Sequence, residues 1–462
     1  MSVRTLRPAT VRVGKQSEKR SYSPPQTLLV NKDTGVQIQN PYERCSLYGA
    51  ALVAAEVYDS DFCVHGPQGC TSAIKEAFAV QGREYDYHHS GMTQSDIIFG
   101  GEKCLINALT EAFSPYEKAG PKFMVTSCSS EIIGDNVDGV AARVNERLPL
   151  VKVTGGGFKG NQYSGIDNAL IGLISKFANP HPERKSNMVN IIGSIGLSRQ
   201  WRADIYELKR ILENLGLEVN RVGCDSTIED IKRTSMASLT IILMPEAGLT
   251  AAEYLQNRFG IPYLYSSLSL PLGLRGTEVW LNEIGDALLI PRKRILEMVD
   301  KEEERVRGGL KVGLHQMIYM EKLSYLKGIP VSIIAEGSVA FSWARFVYEE
   351  LEMKPVFLGM RTGHDNNQLT RALEEWKRES FISPKVLFRP ATDEIKNALR
   401  DTKTEFVMGS SIEANLAKEM GIGNFLHITN PNTHYVNINS IPFLGYTGIL
   451  YATEAILNTF NN

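Results

Sequence analysis

The sequence predicts an α/β protein of three successive domains, each a parallel sheet flanked by helices. Three observations predict it. From Met188 onward, short strands alternate with amphipathic helices, and glycines such as Gly216 and Gly260 stop those helices. The same alternation restarts after Gly328. The length of 462 residues suits about three domains of roughly 150 residues each. Strand–helix alternation at this pitch implies right-handed parallel crossovers. The expected boundaries are an N-terminal arm over 1–37, a cysteine-bearing α/β domain over 38–180, a second domain with a helical linker over 181–325, and a third over 326–462.

Residues 1–20 carry Arg4, Arg7, Arg12, Lys15, Lys19 and Arg20 against only Glu18, with no clear apolar face. That composition predicts a disordered arm or one laid over a partner subunit rather than a targeting peptide. Leu47–Tyr58 reads as a helix whose small residues let it pack closely. Phe62–His65 is a short buried strand feeding the Gly66–Gly69 turn, with Cys70 at the start of the next helix. Another helix follows Phe99-Gly100-Gly101. Lys122–Thr126 is a strand whose end delivers Cys128, and Ser129–Asp135 opens a further helix. In open α/β sheets ligands bind at that carboxyl edge.

In the second domain, strands Val189–Ile192, Leu217–Val222, Leu239–Leu243 and Tyr263–Tyr265 alternate with helices Trp201–Leu215, Thr227–Thr234 and Leu249–Phe259. Residues 285–325, with the run Lys301-Glu-Glu-Glu-Arg305, form linking helices. The third domain repeats the plan. Its strands are Val331–Ala335, Val356–Leu358, Val386–Phe388 and Phe406–Met408; its helices are Phe341–Glu352, Asn367–Glu379, Thr392–Leu399 and one after Gly448.

Composition excludes several classes. With 43% hydrophobic and 22% charged residues the chain can build sizeable cores, and a net charge of −2 gives no broad reason to bind nucleic acid. No apolar run approaches the roughly 18 residues of a membrane span. Six cysteines are too few for a disulfide scaffold, so reduced thiols and a cytoplasmic location are expected.

Three of those cysteines lie in loop settings: Asn40-Pro-Tyr-Glu-Arg-Cys45, His65-Gly-Pro-Gln-Gly-Cys70 and Thr126-Ser-Cys128-Ser-Ser-Glu-Ile-Ile-Gly134-Asp135. Gly, Pro and Ser around each sulfur allow close approach to a ligand. Their spacings of 25 and 58 residues are far too long for the C-x-x-C loops of a structural zinc site. Three thiolates are one short of a cubane site. A cluster on this trio therefore needs a ligand from another chain, or is a larger cluster straddling an interface. Cys63 in an apolar strand, Cys104 inside a helix and Cys224 at a strand end read instead as buried hydrophobes.

Other signals fail on order. Gly155-Gly-Gly157-Phe-Lys159-Gly160 is followed by Asn161 and lacks the G-x-x-x-x-G-K-[ST] arrangement, and Ile192-Gly193-Ser-Ile-Gly196 is not G-x-G-x-x-G. Nucleotide hydrolysis, where the system needs it, belongs on a separate protein. No catalytic triad or carboxylate pair stands out.

The three cysteine stretches resemble those of the nitrogenase superfamily, component 1, specifically its β-type subunits. The matching residues are Asn40-Pro with Cys45 and Gly49-Ala50, His65-Gly66-x-Gln68-Gly69-Cys70, and Cys128 with Glu131-x-Ile133-Gly134-Asp135. Met244-Pro-Glu-Ala, Leu270-Pro-Leu-Gly273 and Leu444-Gly-Tyr-x-Gly448 extend the resemblance from about residue 38 to the end. It implies three Rossmann-like domains of the nitrogenase component 1 fold. It further implies that Cys45, Cys70 and Cys128 supply the β-side thiolates of an [8Fe-7S] P-cluster shared with an α-type subunit, with a [4Fe-4S] cluster as the alternative. Phe99 matches an apolar residue at the docking surface for an ATP-dependent homodimeric iron–sulfur reductase. Asn161 falls where molybdenum-type β subunits carry a serine that binds the oxidised cluster, and an amide is a much poorer iron ligand than an alkoxide.

The resemblance also places Met244 where α-type subunits carry the cysteine of the catalytic cofactor, and a thioether is a poor substitute for a thiolate on iron. His434, in Asn432-Thr-His434-Tyr, does not reproduce the cofactor histidine motif and reads as a solvated loop residue. The expectation is therefore an electron-relay subunit of an α2β2 oxidoreductase, with no catalytic residue of its own. The asparagine at 161, the short N-terminal region and the character of Phe99-Gly-Gly-Glu-Lys103 lean the reading to the methylthio-alkane reductase branch. Dinitrogen reduction, a cofactor-assembly scaffold and a metal-free Rossmann-type binding protein are the alternatives.

Overall fold

The computed structural model describes residues 43–79, 87–112, 120–145, 149–180, 183–311, 323–362, 367–433 and 441–460. The arm at 1–37 and His434 lie outside the described residues. Asn40–Asn462 holds together as one compact unit. Within it three sheets follow one another along the chain, and every strand pairing is parallel.

The first sheet has the order β2-β1-β3-β4, from β1 (Asp61–His65), β2 (Tyr87–His89), β3 (Lys122–Thr126) and β4 (Leu150–Val153). All five residues of β1 and of β3 are buried, so helices cover both faces and neither strand shows apolar–polar alternation. Around this sheet run α1 (Ser46–Ala54), α2 (Gln68–Ala79), α3 (Gln94–Phe99), α4 (Glu102–Ala112), α5 (Cys128–Ile133), α6 (Val137–Asn145) and α7 (Gln162–Phe177). Every residue of α1 is buried. It lies directly on α7 because Gly49 and Gly165 have no side chain: a Cβ on either would stand 1.9 Å from a carbonyl oxygen, of Gln162 and Ser46 respectively.

The second sheet, β6-β5-β7-β8, contains β5 (Lys185–Ile192), β6 (Glu218–Val222), β7 (Ala237–Ile242) and β8 (Tyr263–Leu264). Its helices are α8 (Trp201–Asn214), α9 (Ile228–Arg233) and α10 (Leu249–Phe259), followed by α11 (Gly273–Leu288) and the charged α12 (Arg292–Leu310). The third sheet, β11-β10-β9-β12-β13, contains β9 (Pro330–Ala335), β10 (Lys354–Met360), β11 (Lys385–Phe388), β12 (Phe406–Gly409) and β13 (Asn424–His427). Its helices are α13 (Gly337–Glu349), α14 (Asn367–Ser380), α15 (Thr392–Asp401), α16 (Ser411–Glu419) and α17 (Gly445–Thr459).

Buried carboxylates bind the three layers together by capping helices from a distance. Asp167 of α7 accepts the Ala251 N–H of α10 at 2.9 Å. Glu246, just after β7, accepts the Ser338 N–H (2.7 Å) and hydroxyl (2.8 Å) at the start of α13. Asp204 of α8 accepts the N–H groups of Phe443 (2.7 Å) and Leu444 (3.0 Å) that lead into α17. The Ala251 and Ser338 N–H groups are first-turn donors that a helix cannot pair internally, and those of Phe443 and Leu444 stand just before the first turn of α17.

These remote caps explain where element ends differ from expectation. The helix expected from Phe341 begins at Gly337, and the one expected after Gly448 begins at Gly445. The helix expected over Leu47–Tyr58 stops at Ala54, before Glu56, whose buried carboxylate accepts both Nε and Nη2 of Arg202.

Candidate metal centre

The first sheet presents Cys45, Cys70 and Cys128 from three separate turns. Cys45 caps the start of α1, Cys70 lies in the first turn of α2, and Cys128 opens α5 directly after β3. Cys45 and Cys128 are exposed, Cys70 is half-buried, and all three are free thiols. Burial pushes the Cys70 thiol above its ordinary pKa, and the neighbouring Cys45 and Cys128 thiols push it further. The three sulfurs therefore feel one another. Yet among the described residues no group of three His, Cys, Asp or Glu side chains is arranged to hold a metal ion.

The loop after β4 packs against two of the three cysteines. The Gly157 N–H donates to Cys128 Sγ at 3.1 Å, the kind of bond that stabilises a thiolate. A Cβ on Gly157 would come within 2.9 Å of the Cys45 Cβ and 3.6 Å of Cys128 Sγ, so only glycine passes between the two cysteines. Glu131 of α5 fastens the same loop, accepting the Gly156 N–H at 2.9 Å and pairing with Lys159 at 2.8 Å. Burial alone would raise the Glu131 pKa, but Lys159, Thr126 and Gly156 together hold it below the ordinary value. The glycine run that resembles a phosphate loop in composition is thus the support of the cysteine site.

Asn161 sits at the other end of this loop and bridges to Cys45 through the backbone. Its side-chain oxygen caps α7, accepting the N–H groups of Tyr163 (3.2 Å) and Ser164 (3.4 Å). Its amide nitrogen donates to Glu43. The residue already has a structural task beside Cys45.

Phe99 ends α3 and is 85% exposed, which rules out a core role. Ile98 and, on the neighbouring helix α5, Ile132 are each 73% exposed. A capping box holds α3: the Thr93 N–H reaches Asp96 Oδ2 at 2.8 Å while the Asp96 N–H reaches Thr93 Oγ1 at 3.4 Å. An exposed apolar knob on a firmly capped helix therefore stands one helix away from Cys128.

The remaining cysteines behave differently. Cys63 is buried in β1, its thiol pushed up to about 12 by burial and then by Cys104. Burial also raises the fully enclosed Cys224. Cys104 departs from expectation: it is half-buried near the start of α4, with its Sγ donating to the Gly101 oxygen at 3.0 Å.

Met244 is fully buried in the core, and Glu246 beyond it is committed to capping α13. They adjoin a cleft of about 1280 Å³ at the carboxyl ends of β7, β8, β10 and β11, whose walls include Glu246, Tyr265, Arg275, Trp376 and Arg389. No cysteine lines it. No described helix is long and apolar enough to cross a membrane.

Sequence reasoning found the cysteines but missed their supports: Gly157, Glu131, and a buried His65–Asp135 pair at 2.8 Å. The His-Gly-Pro-Gln-Gly-Cys and Gly-Asp motifs contained the last pair, but only the fold brings their side chains together.

Comparison with known proteins bears on the same regions. The chain is 25% identical to the nitrogenase molybdenum-iron protein beta chain of Methanococcus maripaludis, over 91% of this chain and 94% of that one. It is 25% identical to the nitrogenase vanadium-iron protein beta chain of Trichormus variabilis, over 94% and 96%. It is also 25% identical to a light-independent protochlorophyllide reductase subunit of a Jannaschia species, over 82% and 70%. The solved structure titled nitrogenase Cp1 at pH 6.5 superposes with a TM-score of 0.77 at 19% identity, covering 92% of this chain and 93% of that one, which shows the fold. Residues 45–461 match the family described as nitrogenase component 1 type oxidoreductase, and the chain belongs to that family.

Proposed function

We propose that this chain is the β-type subunit of a nitrogenase-like reductase and holds one half of a P-cluster at an interface. The observation that carries the reading is that Gly157 passes between the exposed Cys45 and Cys128, with the half-buried free thiol of Cys70 beside them. Cys45, Cys70 and Cys128 would ligate the cluster's near side, and cysteines of an α-type chain would complete it. When bound, such a cluster accepts and releases single electrons. The chain's own residues set the conditions. Gly157 donates an N–H to Cys128, burial partly desolvates Cys70, and Glu131 with Lys159 keeps the supporting loop in place.

Three partners and features complete the reading. The exposed Ile98, Phe99 and Ile132 form the docking surface for an ATP-driven iron–sulfur reductase. An α-type subunit covers the exposed Cys45 and Cys128 in an α2β2 assembly, across an interface on the order of 2,000 Å² as in obligate complexes. We read the chain as an N-terminal arm over 1–37 followed by domains over 38–180, 181–325 and 326–462, a division that the presence of three separate sheets supports. Buried Met244 and the capping duty of Glu246 support an electron-relay role, with substrate bound by the partner.

For the net reaction we favour reductive C–S cleavage of methylthio-alkanes, in which electrons and protons add across the bond to release a thiol and an alkane. Asn161, occupied with capping and with Glu43, supports a branch distinct from molybdenum enzymes that carry a serine there. The experiment is anaerobic co-purification of this chain with its α-type partner. Iron and acid-labile sulfide in near-equal amounts are expected, together with thiol release from a methylthio-alkane on adding the reductase and ATP. An iron-free complex would overturn the cluster assignment. An iron-replete complex that reduces dinitrogen and leaves methylthio-alkanes untouched would overturn the branch alone.

A further inference from the structure

His65 stands at the meeting point of the cysteine loops and the helix that carries Phe99. Its ring is fully buried and Asp135 nearly so. Nε2 lies 2.8 Å from Asp135 Oδ2, and Nδ1 lies 3.0 Å from Ser90 Oγ. A carboxylate only accepts, so Nε2 carries the ring proton and Nδ1 accepts from the Ser90 hydroxyl. Burial, the largest influence, holds the ring's pKa below its ordinary value against the pull of Asp135, which agrees with this neutral tautomer.

Each partner leads to a different functional element. The other Asp135 oxygen accepts the Gly101 N–H at 2.8 Å, two residues beyond Phe99. Ser90 Oγ accepts the Gly66 N–H at 3.0 Å, in the turn that ends at Cys70. The His65 carbonyl accepts the Ser127 N–H at 3.0 Å and the Ser130 hydroxyl at 2.9 Å, on either side of Cys128. One buried residue thus touches the supports of two cysteine loops and, through one carboxylate, the foot of the exposed apolar helix.

We infer that His65, acting through Asp135 and Gly101, is a positioning residue that couples docking at Phe99 to the geometry of the Cys70 and Cys128 loops. The inference rests on the electron-relay reading above and adds how docking is communicated. Pressure on α3 reaches Gly101, which cannot shift without moving Asp135. Asp135 in turn cannot shift without turning the His65 ring or breaking its bond. A close-packed interior passes such displacements on instead of absorbing them.

The test uses the complex with the α-type chain, in wild type, His65→Asn and His65→Gln. Glutamine can place an amide N–H near the position of Nε2 and still reach Asp135. Asparagine is one methylene too short. Reduction of the bound cluster is timed with dithionite, which needs no docking, and with the ATP-driven reductase. Iron content is counted in parallel.

For His65→Asn we expect wild-type iron, dithionite reduction within about twofold, and reductase-driven reduction slowed about tenfold or more. For His65→Gln the reductase-driven rate returns to within about threefold of wild type. Equal slowing with both donors, or lost iron, would reduce His65 to a structural brace and overturn the coupling. So would an unslowed His65→Asn, or a His65→Gln as slow as His65→Asn.

Amide hydrogen exchange separates this inference from the cluster reading, because it needs no metal. His65→Asn should speed exchange at Gly101 and across 128–133 together, by about tenfold, while Phe99→Ala alters 128–133 only when His65 is present. If wild type holds no iron but this exchange pattern appears, the cluster assignment fails and the link stands. If iron is present and Gly101 exchanges independently of 128–133, the link fails and the cluster assignment stands.

Discussion

The cysteine face of the first sheet and the junction among the three sheets are both polar sites at helix and strand ends. Among the described residues, the polar groups at the junction find their partners inside the chain. Arg361 is almost fully enclosed, donating to the Asn430 carbonyl at 2.7 Å and to Glu413 at 3.1 Å. Glu336 beside it accepts the Thr429 hydroxyl at 2.7 Å and the Tyr163 hydroxyl at 3.3 Å. The cysteine face does the opposite. It places the thiols of Cys45 and Cys128, with Phe99 and Ile132, at the surface. A closed polar site holds a fold together, whereas an open one beside exposed apolar side chains is half of something.

The largest expected effect strikes the open site alone. Cys70→Ala should abolish the interface cluster's signal and its share of the iron in the complex with the partner, while Cys104→Ala and Cys224→Ala retain both. Iron counting on the three purified variants decides the matter. Equal loss in all three would mean that the trio is not special and that the contrast between open and closed sites has been misread.

The next effect strikes the closed site. Removing Arg361 strands Glu413 and weakens the environment of Glu336, so Arg361→Ala should destabilise the chain by about 3–5 kcal/mol in urea unfolding, as for other broken buried pairs. Lys159→Ala removes a cation from a pair that is half open to water. It should cost no more than about 1 kcal/mol. Similar costs for the two would erase the distinction between junction and rim.

A smaller effect concerns pH. Burial pushes Asp204 up to about 7 despite the N–H groups of Leu444 and Phe443, against an ordinary 3.8. Between those values the folded chain keeps a proton that the unfolded chain has released, so stability falls as pH rises through that window. Asp167, at about 6, and Glu350, at about 7, add in the same direction. Asp204→Asn keeps an acceptor for both N–H groups and cannot titrate. Its stability should fall less than wild type between about pH 5 and pH 8, by on the order of 1 kcal/mol or more. An unchanged slope in paired melts at the two pH values would remove Asp204 from the account.

Legibility in the sequence divided along the same line. Most strands and helices of the second and third sheets could be read from alternation and glycine stops, because buried parallel strands are local apolar runs. β2 (Tyr-His-His) and β4 were missed, being short and, in β2, polar. The start of α13 was missed because its cap, Glu246, lies about ninety residues earlier in the chain. The cysteines were legible through their loop chemistry. His65 and Asp135 stood in the motifs that carry the resemblance, but their pairing, 70 positions apart, and the bond of Gly157 to Cys128, 29 apart, leave no local pattern.

The smallest effect tests Asn161, where the two kinds of site touch. Its oxygen serves the closed interior by capping α7, while its backbone pairs with Cys45 on the open face. Serine caps a helix about as well as asparagine, so Asn161→Ser should change stability by no more than about 0.5 kcal/mol. The substitution nevertheless places a hydroxyl beside the Cys45 loop and removes the amide that holds Glu43. If serine at this position ligates an oxidised cluster, as the family resemblance implies, the variant should show an altered spectrum in the oxidised state and none in the reduced state. A large loss of stability would show that Glu43 and the amide carry more of the fold than the cap does. An oxidised spectrum identical to wild type would show that the position is too firmly engaged in capping to serve the open face, whatever residue stands there.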